Sequence, residues 1–324
     1  MSYSPSTSEV IVVIGASGFI GQHLLPNLAS RQGVEVRVLV HQRKTEALSN
    51  IVFIKGSLLE SRTLEDIIVP GCTVINLAYL SSGSFQDNLD AITSLTEVSI
   101  KKRIKRLIHC STAVVVGRVA ENLIDENTTC NPVSEYEKTK LKLEAILLEK
   151  SLNAFEIAIL RPTAVFGPRG KNLLKLADSL TKGGIWINYA KSCLFGHRSM
   201  NLVCVENVVA ALMFLLETEK KIDREIFIIS DDDSSINNYR EIEHRMISKL
   251  KLHNYWIPRI PLPSIILKAL LTIAGRSIIN IETKYSDAKL VSYGFKKPFT
   301  LDECLEAFVM WYCHNLAIAR DGKK

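Results

Sequence analysis

The stretch SEYEKTKLKLEA places Tyr136 and Lys140 four residues apart. In a helix the two would share one face, a turn apart. An ammonium beside a phenol lowers the phenol's pKa from its usual value near 10. A tyrosine tuned in this way passes a proton to or from a substrate oxygen. By itself Tyr-x-x-x-Lys is also an ordinary pair on a helix surface. A second stretch, HCSTAVVVG, gives it company: an apolar strand ends in Ser111 and Thr112, hydroxyls that would hydrogen-bond a substrate oxygen.

A third stretch, VIVVIGASGFIGQHLL, reads as a strand, a glycine turn and a helix start, with Gly15, Gly18 and Gly21 spaced by three. Glycine there permits a tight turn and a close approach to a pyrophosphate, and the helix N-terminus offers free N–H groups to the anion. Ser17, Phe19 and Ile20 belong to the same turn. Proteins that bind NAD place an acid about 20 residues further on, where it accepts the ribose hydroxyls. Nineteen residues after Gly21 stands Val40, in VRVLVHQRK, a segment without an acid. His41, Arg43 and Lys44 come instead. A carboxylate would repel a 2′-phosphate, whereas Arg43 would pair with it. This favours NADP(H), with NAD(H) as the alternative cofactor and a plain solvated loop as the competing account.

These residues must be positioned by alternating elements. Continuous apolar, β-branched runs predict strands at 10–14, 36–40, 51–54, 73–77, 106–110, 155–160 and 226–229. Continuous rather than alternating runs suit strands covered on both faces. Amphipathic stretches predict helices at 19–31, 85–102, 134–151, 172–182 and 207–219. The order implies an α/β fold, a Rossmann-type doubly wound parallel sheet of about seven strands, with ligands beyond the carboxyl ends of the strands. After about residue 235 helices and prolines take over, with a last helix near 301–314. The expected organisation is a dinucleotide-binding domain over 1–168, to which 197–235 returns, and a smaller, mainly helical substrate lobe over 169–196 and 236–324.

Composition narrows the classes. The 324 residues are 47 % hydrophobic and 23 % charged, as in ordinary globular proteins. Lys and Arg outnumber Asp and Glu by 40 to 34. No basic run carries interleaved aromatics, so an anionic small molecule is a better partner than nucleic acid. The cluster KKRIKR, from Lys101, reads as a helix end whose cations offset the dipole. Seven scattered cysteines imply neither a disulfide framework nor a metal site, and a reducing, cytoplasmic compartment fits them. The apolar stretch PLPSIILKALLTIAG is too short to span a bilayer. It reads as a packed helix, or as a surface for an apolar substrate or membrane.

Taken together, the segments resemble the extended short-chain dehydrogenase/reductase superfamily of NAD(P)-dependent nucleotide-sugar epimerases, dehydratases and 4-ketoreductases. The matching segments are GASGFIG, INLAY, HCSTAVVVG, YEKTK, LRPTAVFGPRGKN and NLVCVENVVAAL, in that order along nearly the whole chain. The resemblance implies that Tyr136 is the acid/base and that Lys140 holds the ribose. Thr112, five before Gly117, falls where the family keeps its substrate-binding hydroxyl. Asn88, in FQDNLDA, would complete a proton relay or be an ordinary polar helix residue. Ser57, Leu58, Leu77, Ala78, Tyr79 and Ser111 would line the cofactor, and Pro162 and Thr163 would wall its nicotinamide. Arg161 lies beside them, near the site or in a structural ion pair. Asn172, Lys175 and Arg198 would join Thr112 and Tyr136 in holding a nucleotide-diphosphate sugar.

The departures concern the substrate. Ser57 stands where the family usually has an adenine-binding Asp, Met200 where epimerases often have an arginine, and Val116 where a tyrosine is usual before Gly117. Ala113 and Val114 follow Thr112 in place of the Asp-Glu pair of the 4,6-dehydratases, so dehydration is not expected. Reduction of a 4-keto nucleotide-sugar, in surface-polysaccharide (O-antigen type) lipopolysaccharide biosynthesis, is the leading expectation. The alternative is 4-epimerisation of a nucleotide-sugar; a 3β-hydroxysteroid-dehydrogenase-like enzyme and a non-catalytic NADP(H) sensor follow. The resemblance also implies a homodimer formed through the helices at 85–102 and 134–151.

Overall fold

The computed structural model describes residues 9–41, 50–260, 265 and 280–321. In chain order the described elements begin with β1 (Glu9–Ile14), α1 (Phe19–Ala29), β2 (Val34–Val40), β3 (Ile51–Lys55), α2 (Ser61–Ile67) and β4 (Thr73–Asn76). Next come α3 (Phe85–Lys102), β5 (Arg106–Cys110), β6 (Leu123–Ile124), α4 (Glu135–Lys150), β7 (Glu156–Pro162) and β8 (Ala164–Phe166). The chain continues with α5 (Leu174–Lys182), α6 (Ile185–Phe195), β9 (Leu202–Cys204), α7 (Val205–Glu217), β10 (Glu225–Ile229) and α8 (Tyr239–Lys249). It closes with β11 (Lys284–Tyr285), α9 (Ala288–Ser292) and α10 (Leu301–Asp321). The chain divides into two compact units. One comprises Met1–Val115, Ser134–Arg161 and Leu212–Phe227, the other Val116–Val133, Pro162–Ala211 and Ile228–Lys324.

A seven-stranded sheet runs in the order β10-β7-β5-β4-β1-β2-β3. The pairings of β1 with β2 and β4, β2 with β3, and β5 with β4 and β7 are parallel. The order reverses between β1 and β4, which opens a crevice at their carboxyl ends. There Ile14 is in register with Asn76, so Gly15 and Leu77 emerge side by side. Ile11, Val12, Val13, Val74, Ile75, Leu107, Ile108 and Ile157 have no measurable exposure. That is why the runs are apolar without alternation.

The helices start where their caps dictate. Ser84 and Asp87 form a reciprocal capping box at α3, as do Ser134 and Glu137 at α4. Lys101 and Lys102 end α3, and Arg103 closes it in the left-handed conformation at φ 51°. α2, α3 and α4 share one core with the sheet, through Leu64, Ile67, Ile92, Leu95, Leu143 and Leu147. At the other end of β5, the buried Arg106 pairs with Glu156 at 2.6 Å and donates to the carbonyls of Leu215, Leu216 and Thr218 at the end of α7. A guanidinium suits several acceptors at once, and a cation suits a helix C-terminus.

The other unit has its own core. β8 and β9 pair in parallel, and Phe166, Ala177, Leu202, Met246, Leu305 and Phe308 pack around them. The helix α6 escapes sequence patterning because IWINYAKSCLF is apolar almost all round. The expectation for PLPSIILKALLTIAG lies outside the described residues except at Ile265. Among the described residues, no helix is long and apolar enough to cross a membrane.

Cysteine is the point at which the structure corrects the sequence reading. Cys204 of β9 and Cys304 of α10, 100 residues apart, form a disulfide. No local spacing announces such a pair. Glu206 lies 2.6 Å from the Cys204 sulfur, but both sulfurs are committed to the disulfide and offer no thiolate to a metal.

Leu95 has no exposed surface and sits among three helices. Leu95→Ala is expected to lower the unfolding free energy by about 2–5 kcal/mol. Urea denaturation followed by circular dichroism measures it, and an unchanged midpoint would show that this face is not tightly packed.

Candidate active site

The turn after β1 opens a cleft of about 440 Å³ within the sheet unit. Gly15 has φ +83°, and a Cβ there would stand 2.7 Å from the Ala78 backbone nitrogen. The two chains therefore touch across the β1–β4 crevice, and only glycine fits. Gly21 works differently. A Cβ on it would meet the Ala16 backbone at 2.5 Å, so its absence lets α1 lie against the turn. Gly18 caps α1 and donates to the Gly15 carbonyl at 3.0 Å, and Phe19 and Ile20 are the first residues of that helix. Gly15, Ser17, Gly18, His41, Ser57, Leu58, Leu77, Ala78 and Tyr79 all line the cleft. Ser57 accepts from the Leu59 N–H at 3.2 Å, which shapes the turn after β3. Arg43 and Lys44 lie outside the described residues.

At the end of β5 the proton-handling groups meet. The Thr112 hydroxyl lies beside the Tyr136 phenol and favours its ionised form. Lys140 is buried, and its Nζ donates to the Cys110 carbonyl at 3.1 Å. Tyr79 joins the two: its ring meets Tyr136 edge-on at 5.0 Å and lies 5.3 Å from the Lys140 Nζ. Burial pushes the Tyr136 phenol up to about 12; Cys110 and Tyr79 act in the same direction and the Thr112 hydroxyl opposes them. Lys140 is not among the groups that set this value. The ammonium is engaged by a backbone carbonyl, and its own pKa is lowered by burial. Nearby, Asn76 donates to His109 Nδ1 at 3.1 Å, and burial holds that imidazole neutral, its pKa well below the usual value.

The cleft suits a dinucleotide on two counts. Gly15, Leu77 and Ala78 line it where their backbones meet, with no side chain at Gly15. The N-terminus of α1 opens beside that glycine. Ser111 does not line the cleft; its Oγ, buried just beyond β5, has no hydrogen-bond partner among the described residues.

A model of the NAD dependent epimerase/dehydratase family matches residues 11–230. The chain belongs to that family. It is thus an NAD(P)-dependent enzyme of the extended short-chain dehydrogenase/reductase superfamily. It is 23 % identical over 320 residues to the N-acetyl-alpha-D-glucosaminyl-diphospho-ditrans,octacis-undecaprenol 4-epimerase of Escherichia coli O157:H7, covering 92 % of this chain and 94 % of that one. It is also 23 % identical over 346 residues to the mouse (Mus musculus) sterol-4-alpha-carboxylate 3-dehydrogenase, decarboxylating, covering 95 % and 92 %. Other curated matches span only about half of their relatives' length. The structure of dTDP-glucose 4,6-dehydratase from Bacillus anthracis str. Ames, in complex with NAD, shares the fold with a TM-score of 0.70 and 20 % identity, over 95 % of this chain and 97 % of that one.

Other residues expected in this epimerase/dehydratase site are placed elsewhere. The Asn88 amide is taken up by the loop before α3: Oδ1 accepts from the Leu80 N–H, and Nδ2 donates to the carbonyls of Leu80 and Ser84. It pins that loop, and no bond links it to Tyr136. Arg161 is paired with Glu144 at 2.5 Å, both buried, which settles it as a structural ion pair. In the second unit, Pro162 ends β7 and the Thr163 N–H donates to the Ile229 carbonyl at 3.1 Å. Asn172 and Arg198 line a single cavity of about 340 Å³ together with Met200, whereas Lys175 is exposed on α5 and does not. The sequence reading missed Leu39, Gly56, Leu59, the turn residues Leu80, Ser82 and Gly83, and Asp87 at the start of α3, which also line the dinucleotide cleft. Leu39 and Gly56 adjoin strand ends, a usable signal; the turn before α3 carries none.

Two outcomes follow. The raised phenol pKa means that Tyr136 keeps its proton through neutral pH and ionises only as the pH approaches 12. The absorbance difference at about 295 nm between wild type and Tyr136→Phe should therefore be absent below about pH 10, the ordinary tyrosine value. An ionisation seen near neutrality without ligand would contradict this environment. Glu144→Gln leaves the Arg161 charge buried and unpaired, and should cost about 3–5 kcal/mol in a denaturation experiment.

Proposed function

We propose that this chain reduces the keto group of a nucleotide-diphosphate 4-keto sugar, of the kind used for surface polysaccharide, with NADP(H) as cofactor. The observation that carries the reading is the meeting of Tyr136, Thr112 and the buried Lys140 at the end of β5, with the Tyr79 ring against both Tyr136 and Lys140. Gly15, Ser17, Gly18 and Ser111 would hold the dinucleotide, with His41 and Arg43 at its ribose phosphate. When bound, that cofactor supplies or takes up a hydride. Tyr136, protonated at neutral pH, delivers its proton to the carbonyl oxygen as the ketone becomes an alcohol. Thr112 lies beside the same phenol, and its hydroxyl favours the phenolate that remains. Lys140 would hold the cofactor's ribose beside that phenol.

Asn172 and Arg198 would hold the diphosphate, guanidinium and amide being suited to phosphate oxygens. The substrate lobe is assigned to 169–196 and 236–324, and α3 and α4 are offered as the faces of a homodimer. Dehydration has no support: Ala113 and Val114, directly after Thr112, form a short 3₁₀ turn and provide no carboxylate.

A second reading is 4-epimerisation, in which the hydride returns to the same substrate. The match to the Escherichia coli 4-epimerase over 92 % of this chain favours it. NADPH oxidation with a panel of nucleotide-linked 4-keto sugars, with mass spectrometry of any nucleotide released from the purified protein, separates the two. Net oxidation supports the reductase. Bound NAD⁺ with interconversion of 4-epimers and no net oxidation supports the epimerase. With either activity, Tyr136→Phe should lower kcat by about 10²–10⁴-fold. Arg43→Ala should raise the KM for NADPH by roughly 10–100-fold, the worth of a charge-assisted hydrogen bond, and leave that for NADH unchanged. Equal effects on the two cofactors would remove Arg43 from the phosphate.

A further inference from the structure

The second unit carries an apolar face that the reaction does not use. α6 opens with Ile185, Trp186 and Ile187, all exposed, directly after Gly183 and Gly184. The segment 255–260 adds Trp256, Ile257 and Ile260. Trp256 is 91 % exposed and Trp186 70 %. Single exposed apolar residues need no explanation, but a contiguous patch of this kind marks a binding surface.

The face is built rather than accidental. Tyr189 of α6 donates its hydroxyl to the Pro258 carbonyl at 3.0 Å, and its ring meets Tyr255 edge-on at 5.5 Å. Tyr255 in turn donates to the buried Glu243 at 2.8 Å, and Arg259 lies over the Tyr255 ring at 4.9 Å. The two segments enclose an apolar hollow of about 440 Å³. Tyr189 and Tyr255 are thus anchored from below, and the two tryptophans stand outward.

Charge decides what covers it. No acid occurs in 179–205 or 244–260, the described stretches that carry the face. At 34 acids in 324 residues, those 44 positions would ordinarily carry about five. They hold instead Lys182, Lys191, Arg198, Arg245, Lys249, Lys251 and Arg259. Lys182 pairs with Asp178, Arg259 with Glu243, and Arg245 and Lys249 with Asp302, acids outside the stretches. Lys251 and His253, just before Trp256, are exposed. With Lys191 of α6 and Lys251 beside it and no acid in either stretch, two copies of the face would repel one another, which disfavours self-association. Outward tryptophans with isoleucines and flanking cations suit the boundary between anionic headgroups and acyl chains.

We propose that this face rests on an anionic lipid bilayer, with Trp186 and Trp256 entering the headgroup region. The test is co-sedimentation of the full chain with vesicles of phosphatidylglycerol and phosphatidylcholine in equal parts, against phosphatidylcholine alone. Binding should be stronger by ~10-fold or more on the anionic vesicles, weaken with salt, and shift tryptophan emission to the blue. Trp186→Glu with Trp256→Glu should abolish binding and the shift, with an unchanged melting temperature. Trp256→Ala alone should weaken binding, and Trp311→Phe should leave it intact. The proposal is overturned if wild type ignores anionic vesicles, or if the double variant binds as wild type does. It is equally overturned if light scattering shows a dimer that the double variant dissociates, since the face would then belong to a second copy.

Discussion

A buried ammonium is tolerable only where its protons find acceptors, and the Lys140 side chain imposes that condition on the sheet unit. Its bond to the Cys110 carbonyl ties α4 to the end of β5. The capping box at Ser134 sets where α4 begins, so Tyr136 falls in its first turn. One helical turn separates that tyrosine from Lys140, and the first residues beyond β5 bring Thr112 to it. The Tyr79 ring, delivered by the end of β4, packs against both. Three neighbouring elements thus converge on one small volume through one satisfied charge.

A second buried charge stands one turn further along α4. Glu144 meets Arg161 of β7, and together they fix the same helix against the same sheet at another point. Such pairs contribute little net stability, but either partner alone would be costly, so they specify position. The proton-transfer residues are held by this framework. The dinucleotide cleft depends on something different, the close contact of two backbones at Gly15 and Ala78. Side-chain chemistry is held by helices and strands, whereas cofactor binding is left to turns whose shape glycine allows.

The fold was largely legible because its strands are buried on both faces. Uninterrupted runs such as VIVVI and RLIHC have few other uses, and the capped helices between them alternate as a doubly wound sheet requires. Tyr136, Lys140, Thr112 and the glycine turn were visible for a related reason: their spacing is set by local geometry. Asn88 was legible as a helix residue but not in its role. Its partners, Leu80 and Ser84, depend on the path of a loop that carries no periodic signal. Arg161 was ambiguous until Glu144, seventeen residues away, was seen to face it. The Cys204–Cys304 disulfide and the face around Trp186 and Trp256 join segments far apart in the chain.

The sequence by itself determined the sheet, the glycine turn and the helical pairing of tyrosine with lysine, because those rest on periodicity and on contacts within a few residues. Only the tertiary structure decided that Lys140 donates to a carbonyl and that burial raises the pKa of the Tyr136 phenol. It also decided which arginine is structural and which apolar residues remain outside. Burial and pairing are properties of the surroundings, and those surroundings come from elements that the chain order does not place side by side.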